Sequence, residues 1–264
     1  MLQNPYLPHK VKILEIKRQT KIDYTFKLES SMNPDNGQFV EVSLPKIGEC
    51  PISVSDFGDG WIEMTIRRVG KVTNVLHDLK VGDGMFIRGP LGNGFPLQKY
   101  KNKHLVIAAG GTGLAPVKSV INYFYDRPGV VKQLNLLTGF KSPEDVLFKD
   151  ELEKWSKEFN VTVTVDQGDK DWTGNVGLIT EYVKVIDFPN PEEVEVVVVG
   201  PPMMMKFTVQ EFLKLGVPEE NITVSFERKM CCGIGKCGHC KIDDTYVCLE
   251  GPVFNYTKAM ELID

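Results

Sequence analysis

Five of the six cysteines fall between Cys231 and Cys248, and the sixth, Cys50, stands far away. The segment reads Met230-Cys231-Cys232-Gly233-Ile234-Gly235-Lys236-Cys237-Gly238-His239-Cys240, with Cys248 further on. Counted from Cys232, the spacing is C-x4-C-x2-C-x7-C; counted from Cys231, the first gap becomes x5. Gaps of x4 and x2 followed by a more remote cysteine are the ligand rhythm of a [2Fe–2S] cluster. Four thiolates have to converge on two irons, and backbone N–H groups have to be free to stabilise the charge on the sulfurs. Gly233, Gly235 and Gly238 let the chain wrap that closely, because glycine tolerates positive φ. The alternative is a structural zinc site using Cys237-x2-Cys240 with His239 and Cys248. Zinc ribbons pair two C-x2-C knuckles, whereas here the first gap is four. Such tight clustering argues against disulfides.

The rest of the chain is long enough to build what such a site needs. Its 264 residues suggest two domains and a small appendage. Apolar residues make up 42% and charged residues 25%, which excludes a disordered chain. Lys+Arg total 31 against Asp+Glu 35, a formal net charge of −4, with no Lys/Arg run beyond two. A nucleic-acid surface is not expected from that balance. The longest β-branched run, Val196 to Val199, is far short of a membrane span, and Met1 to Lys12 has no signal-peptide h-region. The expected location is therefore cytoplasmic.

Two periodicities divide the chain. From residue 10 to 98, short segments partly alternate: Val11–Ile16, Tyr24–Leu28, Gln38–Leu44, Trp61–Arg67 and Met85–Arg88, punctuated by Gly and Pro. That pattern predicts a small antiparallel barrel. From Lys103 the rhythm becomes strand–helix–strand. Strands are expected at His104–Ala109, Leu134–Leu137, Val161–Val165, Val194–Val199 and Ile222–Phe226. Between them Val117–Phe124, Phe148–Phe159, Ile179–Ile186 and Phe207–Leu215 carry helical spacing. The expected architecture is a doubly wound five-stranded parallel sheet. The predicted domains are a barrel over 1–99, an α/β domain over 100–225 and a cysteine module over 226–264.

Glycine-rich loops mark the candidate ligand sites. The first parallel strand runs into Gly110-Gly111-Thr112-Gly113-Leu114-Ala115-Pro116. A glycine turn opening onto a helix N-terminus offers bare N–H groups to a phosphate, and Pro116 suits the helix's first turn. The match to G-x-G-x-x-G is incomplete, since Pro116 stands at the third glycine. The fourth strand ends in Gly200-Pro201-Pro202-Met203-Met204-Met205 on the same sheet edge, where ligands of such sheets bind. Met203 is a candidate contact, with the other methionines filling core. Within the barrel, Cys50-Pro51-Ile52-Ser53, Arg67 to Thr73 and Pro90 to Phe95 are candidate turns, though ordinary β turns explain them as well.

A barrel followed by a nucleotide sheet resembles the ferredoxin–NADP reductase superfamily. The four-cysteine module narrows the resemblance to the group containing the electron-transfer subunit of dihydroorotate dehydrogenase. Gly37 to Pro45, Pro51 to Asp56, Val69 to Thr73, Val199 to Pro202, Gly235 to Cys240, Tyr246 to Cys248 and Gly251 to Tyr256 together resemble the subunit-B family of anaerobic sulfite reductases. The resemblance implies FAD in the barrel, NADH on the sheet and a [2Fe–2S] cluster at the C-terminus.

Position by position, Ser53 falls at the flavin-binding serine, expected near flavin N5, beside Pro51 and Ile52. Ile66, Arg67, Gly70, Val72 and Thr73 fall in the segment for the ribityl chain and phosphates. Gly110 to Gly113 fall at the nicotinamide-nucleotide loop, with Gly200, Pro201 and Met203 opposite, and Cys232, Cys237, Cys240 and Cys248 fall at the cluster ligands. The family's flavin motif begins with arginine and has tyrosine third, where this chain has Cys50 and Ile52. Arg67 or Arg68 is the expected replacement charge. Cys231 is expected to be a non-ligand.

The implied activity is an oxidoreductase that converts paired into single electrons. Hydride leaves NADH as two electrons together, an iron–sulfur cluster accepts one, and a flavin handles both. The implied partners are a siroheme-bearing catalytic subunit that reduces sulfite to sulfide and an iron–sulfur electron-transfer subunit. Alternatives are the same chemistry serving dihydroorotate dehydrogenase, a hydrogenase or a ferredoxin:NADP oxidoreductase, or a zinc-stabilised nucleotide-binding module without redox turnover. No catalytic triad or carboxylate pair is present, as hydride transfer requires none. His239 is expected either to tune the cluster or to lie in solvent, and Lys141 is a weak candidate for a 2′-phosphate contact.

Overall fold

The computed structural model describes residues 4–188 and 190–262. Met1–Gln3 of the N-terminal stretch read for a leader lie outside them. The chain divides into two compact units: residues up to Phe95 with Phe226–Val253, and Pro96–Ser225 with the residues from Phe254 on.

The first unit is a closed barrel. Its strands are β1 (His9–Arg18), β2 (Asp23–Glu29), β3 (Phe39–Leu44), β4 (Gly48–Gly58), β5 (Trp61–Arg67) and β6 (Gly84–Leu91), in the order β1-β2-β5-β4-β3-β6. A short helix, α1 (Lys71–Leu76), interrupts the expected all-β stretch. The alternating residues fill the interior: Ile13, Phe26, Leu28, Val40, Val42, Ile62, Met64, Ile66, Met85 and Ile87 are all fully buried. β4 is the strand that periodicity misses, because its burial pattern is mixed and Pro51 interrupts it. Cys50 to Ser53 therefore lie inside a strand, paired with Val42, Glu41, Val40 and Phe39 of β3, rather than near a strand end.

The second unit is a parallel sheet. β7 (His104–Gly110), α2 (Leu114–Tyr125), β8 (Gln133–Phe140), α3 (Lys149–Trp155) and β9 (Asn160–Val165) come first. The two-residue β10 (Asn175–Val176), α4 (Ile179–Val183), β11 (Val194–Val199), α5 (Pro202–Lys214) and β12 (Ile222–Ser225) follow. The sheet order is β10-β9-β8-β7-β11-β12-β15, where β15 is Val253–Asn255 and leads into α7 (Tyr256–Ala259). The five expected strands form its parallel core, with β10 and β15 as short edges. Central strands covered on both faces read as continuous apolar runs, and every residue of β11 is buried. Its one acid, Glu195, pairs with Lys99 at 3.1 Å. α5 starts five residues before the expected Phe207, since Pro202 suits a first helical position. No helix of the described residues is long and apolar enough to cross a membrane.

After β12 the chain returns to the barrel unit. There β13 (Lys241–Ile242) and β14 (Thr245–Tyr246) form a hairpin before α6 (Val247–Glu250). The Pro90–Phe95 turn, a candidate ligand turn on sequence, is packed instead. A Cβ on Gly92 would lie 2.7 Å from the Gly251 carbonyl, and Asn93 N–H donates to that carbonyl at 2.6 Å.

His77, just after α1, is 8% exposed, stacks on Tyr24 at 4.2 Å and bonds the Ile66 carbonyl through Nε2 at 2.8 Å. Its Nδ1 has no partner among the described residues. Burial holds the imidazole below its ordinary 6.5, ahead of the opposing effect of the Ile66 bond. Below pH 6.5 the unfolded chain takes the proton first, so stability falls as the pH drops towards the folded value. His77→Gln is expected to flatten that acid limb; an unchanged slope of unfolding free energy against pH in urea titrations contradicts it.

Candidate functional site

The cysteine loop gathers its sulfurs as two pairs. Cys237 sits beside Cys232 and Cys248 beside Cys240, the backbone N–H of one bonding the sulfur of the other. Backbone N–H groups point at the sulfurs, as the glycine spacing anticipates. Gly235 N donates to Cys248 Sγ at 3.2 Å, and Lys236 N and Cys237 N donate to Cys232 Sγ at 3.4 Å. Cys248 N donates to Cys240 Sγ at 3.5 Å. Gly233, Gly235 and Gly238 all take positive φ, at 67°, 69° and 79°. The His239 backbone N–H, ahead of the other loop bonds, draws the Cys237 thiol below its ordinary value. His239 thus reaches sulfur through its backbone, while the residue as a whole is exposed. Burial pushes the Cys248 thiol up to about 12, favouring its neutral form.

Two thiol pairs lined by N–H donors suit two irons with two thiolates each. Among the described residues no three His, Cys, Asp or Glu are gathered as a single-ion site. The donor set fits an iron–sulfur cluster on chemistry: all-sulfur ligands, soft metal, charge stabilised by amides. Cys231 is exposed, next to the paired set.

On the barrel, Ser53 and Ile52 are half-buried on β4. Arg67 ends β5 and is bound bidentately to the fully buried Asp23, at 2.8 and 3.1 Å. Among the described residues its neighbour Arg68 reaches Asp78 at 3.4 Å, with both side chains well exposed. Thr73 Oγ1 accepts from Val69 N at 3.0 Å and from Gly70 N at 2.9 Å, folding the start of α1 onto its own hydroxyl. Val72 and Lys71 are the next residues of that turn, Val72 half-buried and Lys71 exposed.

On the sheet, the two glycine loops meet. β7 and β11 are neighbours where the strand order reverses, the point at which such sheets leave a crevice beyond their C-terminal ends. Gly110 to Gly113 follow β7, and Gly200 and Pro201 follow β11. A Cβ on Gly200 would lie 3.1 Å from Gly110 N, and one on Gly113 would lie 2.5 Å from the Val199 carbonyl. Gly113 is thus a packing glycine. Gly111 differs: its φ is 55° and nothing lies within 4 Å of a Cβ there, so its backbone faces open space. Thr112 is half-buried beside it, and Pro116 occupies the first turn of α2. In α5 Met203 is 60% exposed while Met205 is 6% exposed and packs in the core.

Known proteins share these features. Residues 107–210 match the oxidoreductase NAD-binding domain family, and residues 227–259 match the iron–sulfur cluster binding domain of dihydroorotate dehydrogenase B. The class is therefore an oxidoreductase with an NAD-binding sheet and an iron–sulfur domain. Sulfhydrogenase 1 subunit gamma of Pyrococcus furiosus is 35% identical over 96% of this chain and 92% of its own length. A probable dihydroorotate dehydrogenase B electron transfer subunit from the same organism is 32% identical over 93% and 90%. A structure of an NADH-dependent reduced ferredoxin–NADP oxidoreductase shares the fold, with TM-score 0.74 and 24% identity over 96% and 91% of the two chains. The chain belongs to the family of iron–sulfur electron-transfer subunits that includes the sulfhydrogenase gamma and dihydroorotate dehydrogenase B proteins.

The two sheet glycines separate by substitution. Gly113→Ala is expected to destabilise by about 1–3 kcal/mol through its clash with Val199. Gly111→Ala costs about 1 kcal/mol of backbone strain but raises the KM for NADH the more. Urea midpoints and steady-state kinetics check both; equal effects of the two on KM contradict the assignment.

Proposed function

We propose that this chain is the NADH-oxidising, FAD-containing electron-transfer subunit of a larger reductase, with a [2Fe–2S] cluster on Cys232, Cys237, Cys240 and Cys248 as its outlet. The observation that carries the reading is the coexistence of a paired-thiol loop with a glycine crevice at the sheet's switch point. A bound flavin supplies the conversion of a hydride's two electrons into single transfers. The chain's own part is positioning. Gly111 and Thr112 present backbone to a pyrophosphate, Gly200 and Pro201 close the other side of the crevice, and Met203 offers an exposed thioether to the nicotinamide end. On the barrel, Ser53 provides a hydroxyl near the flavin ring, and Gly70 and Val72 border its phosphate arm, whereas Ile66 is fully buried in the barrel interior with its carbonyl bonded to His77. Arg67 is committed to Asp23, so Arg68 and Lys71 are the cations left for phosphate in place of the family arginine at Cys50.

The sequence motifs favour a siroheme sulfite-reducing partner, with a second iron–sulfur subunit between. The second reading is delivery to a hydrogenase, supported by the likeness to sulfhydrogenase 1 subunit gamma. Co-purification with a siroheme protein supports the first; co-purification with a hydrogenase or orotate-forming subunit replaces it with the family alternative. Cys237→Ser is expected to cut electron delivery to the partner far more than NADH-to-dye transfer, because the dye draws upstream of the cluster. Equal losses in the two assays overturn the path. Ser53→Ala is expected to slow flavin reduction by NADH in stopped flow, and an unchanged rate removes Ser53 from the site.

A further inference from the structure

Arg88 lies on β6, 5% exposed, and its guanidinium is aimed at the cysteine loop. Nη1 donates to the Cys232 carbonyl at 2.6 Å, and Nη2 to the Cys231 carbonyl at 3.3 Å. On its other side Nε donates to Glu49 Oε1 at 3.1 Å, and Nη2 bonds the same carboxylate. A second carboxylate, Glu41, is fully buried with Oε1 4.0 Å from Nη2. Neither Glu41 oxygen has a hydrogen-bond partner among the described residues. Across the barrel wall Arg88 pairs with Glu41, and Glu41 pairs with Pro51, which precedes the flavin-motif residues Ile52 and Ser53. One rung of the sheet thus carries the loop's anchor at one end and the flavin strand at the other. The fit leaves no spare room: a Cβ on Gly233 would meet Leu91 Cδ1 at 2.6 Å and Glu41 Oε1 at 3.5 Å.

A rigid fork that reaches two successive carbonyls fixes the loop's direction as well as its distance. Nothing in the barrel requires this cation to face the loop, since Glu49 alone would satisfy a strand-to-strand pair. We propose that Arg88 is a positioning residue for the iron–sulfur centre, holding the first ligand Cys232 to the barrel wall and, with Glu49, setting the charge that the cluster feels. The inference rests on the proposed electron path. A cluster gains negative charge on reduction, so a nearby cation favours reduction and nearby carboxylates oppose it.

The test is a potentiometric titration of the anaerobically purified full chain, read in the visible region and by electron paramagnetic resonance. Arg88→Met is expected to shift the cluster midpoint to more negative values and to alter the resonance of the reduced cluster. Arg88→Lys is expected to restore part of the potential but not the line shape, because one ammonium does not span two carbonyls. Glu49→Gln is expected to shift the midpoint the opposite way. If Arg88→Met loses its iron, the sign comparison stands on the lysine and glutamine variants. Shifts of one sign in all variants, or none at unchanged iron content, overturn the role of Arg88 and leave the path standing. Wild-type protein without iron or flavin overturns the path and this role with it.

Discussion

Sulfurs brought together from the cysteine loop and α6 repel each other once they ionise, and the arrangement holds only if something answers that charge. Here the answer is backbone: amides of Gly235, Lys236, Cys237 and Cys248 point at sulfur, and positive-φ glycines turn them there. The buried Cys248 thiol shows the same constraint from the other side, since burial favours its neutral form. Both features are costs for a loop without metal, and both become useful once an iron pair binds.

The same economy of backbone shapes the sheet. At the switch point, Gly110 and Gly200 approach because neither has a side chain, and Gly113 lets α2 start against Val199. Packing of these glycines leaves Gly111 facing open space. Packed and open glycines thus alternate within four residues, which is why a glycine motif by itself says so little about which of its glycines is structural.

Much of this was legible in the chain. The barrel's alternating strands and the apolar runs of β7 and β11 reported their burial directly, because one-sided and two-sided burial leave different patterns. The x4, x2 cysteine rhythm reported the thiol loop. β4 was missed, as its residues are half-buried and Pro51 breaks the pattern. The Arg67–Asp23 pair was missed because its partners are far apart in sequence and join only by strand register. Arg88 was invisible for the same reason: a lone arginine in a strand shows nothing of the loop it anchors until the barrel closes.

The central claim, that the chain parts a hydride's electron pair into single electrons, is met most directly by stepwise anaerobic addition of NADH to the purified protein under visible spectroscopy. The account predicts a coloured protein whose flavin and iron–sulfur bands both bleach, taking up more electrons than a flavin alone holds. A colourless preparation carrying zinc, or flavin bands that bleach beside an unchanging iron–sulfur spectrum, contradicts it.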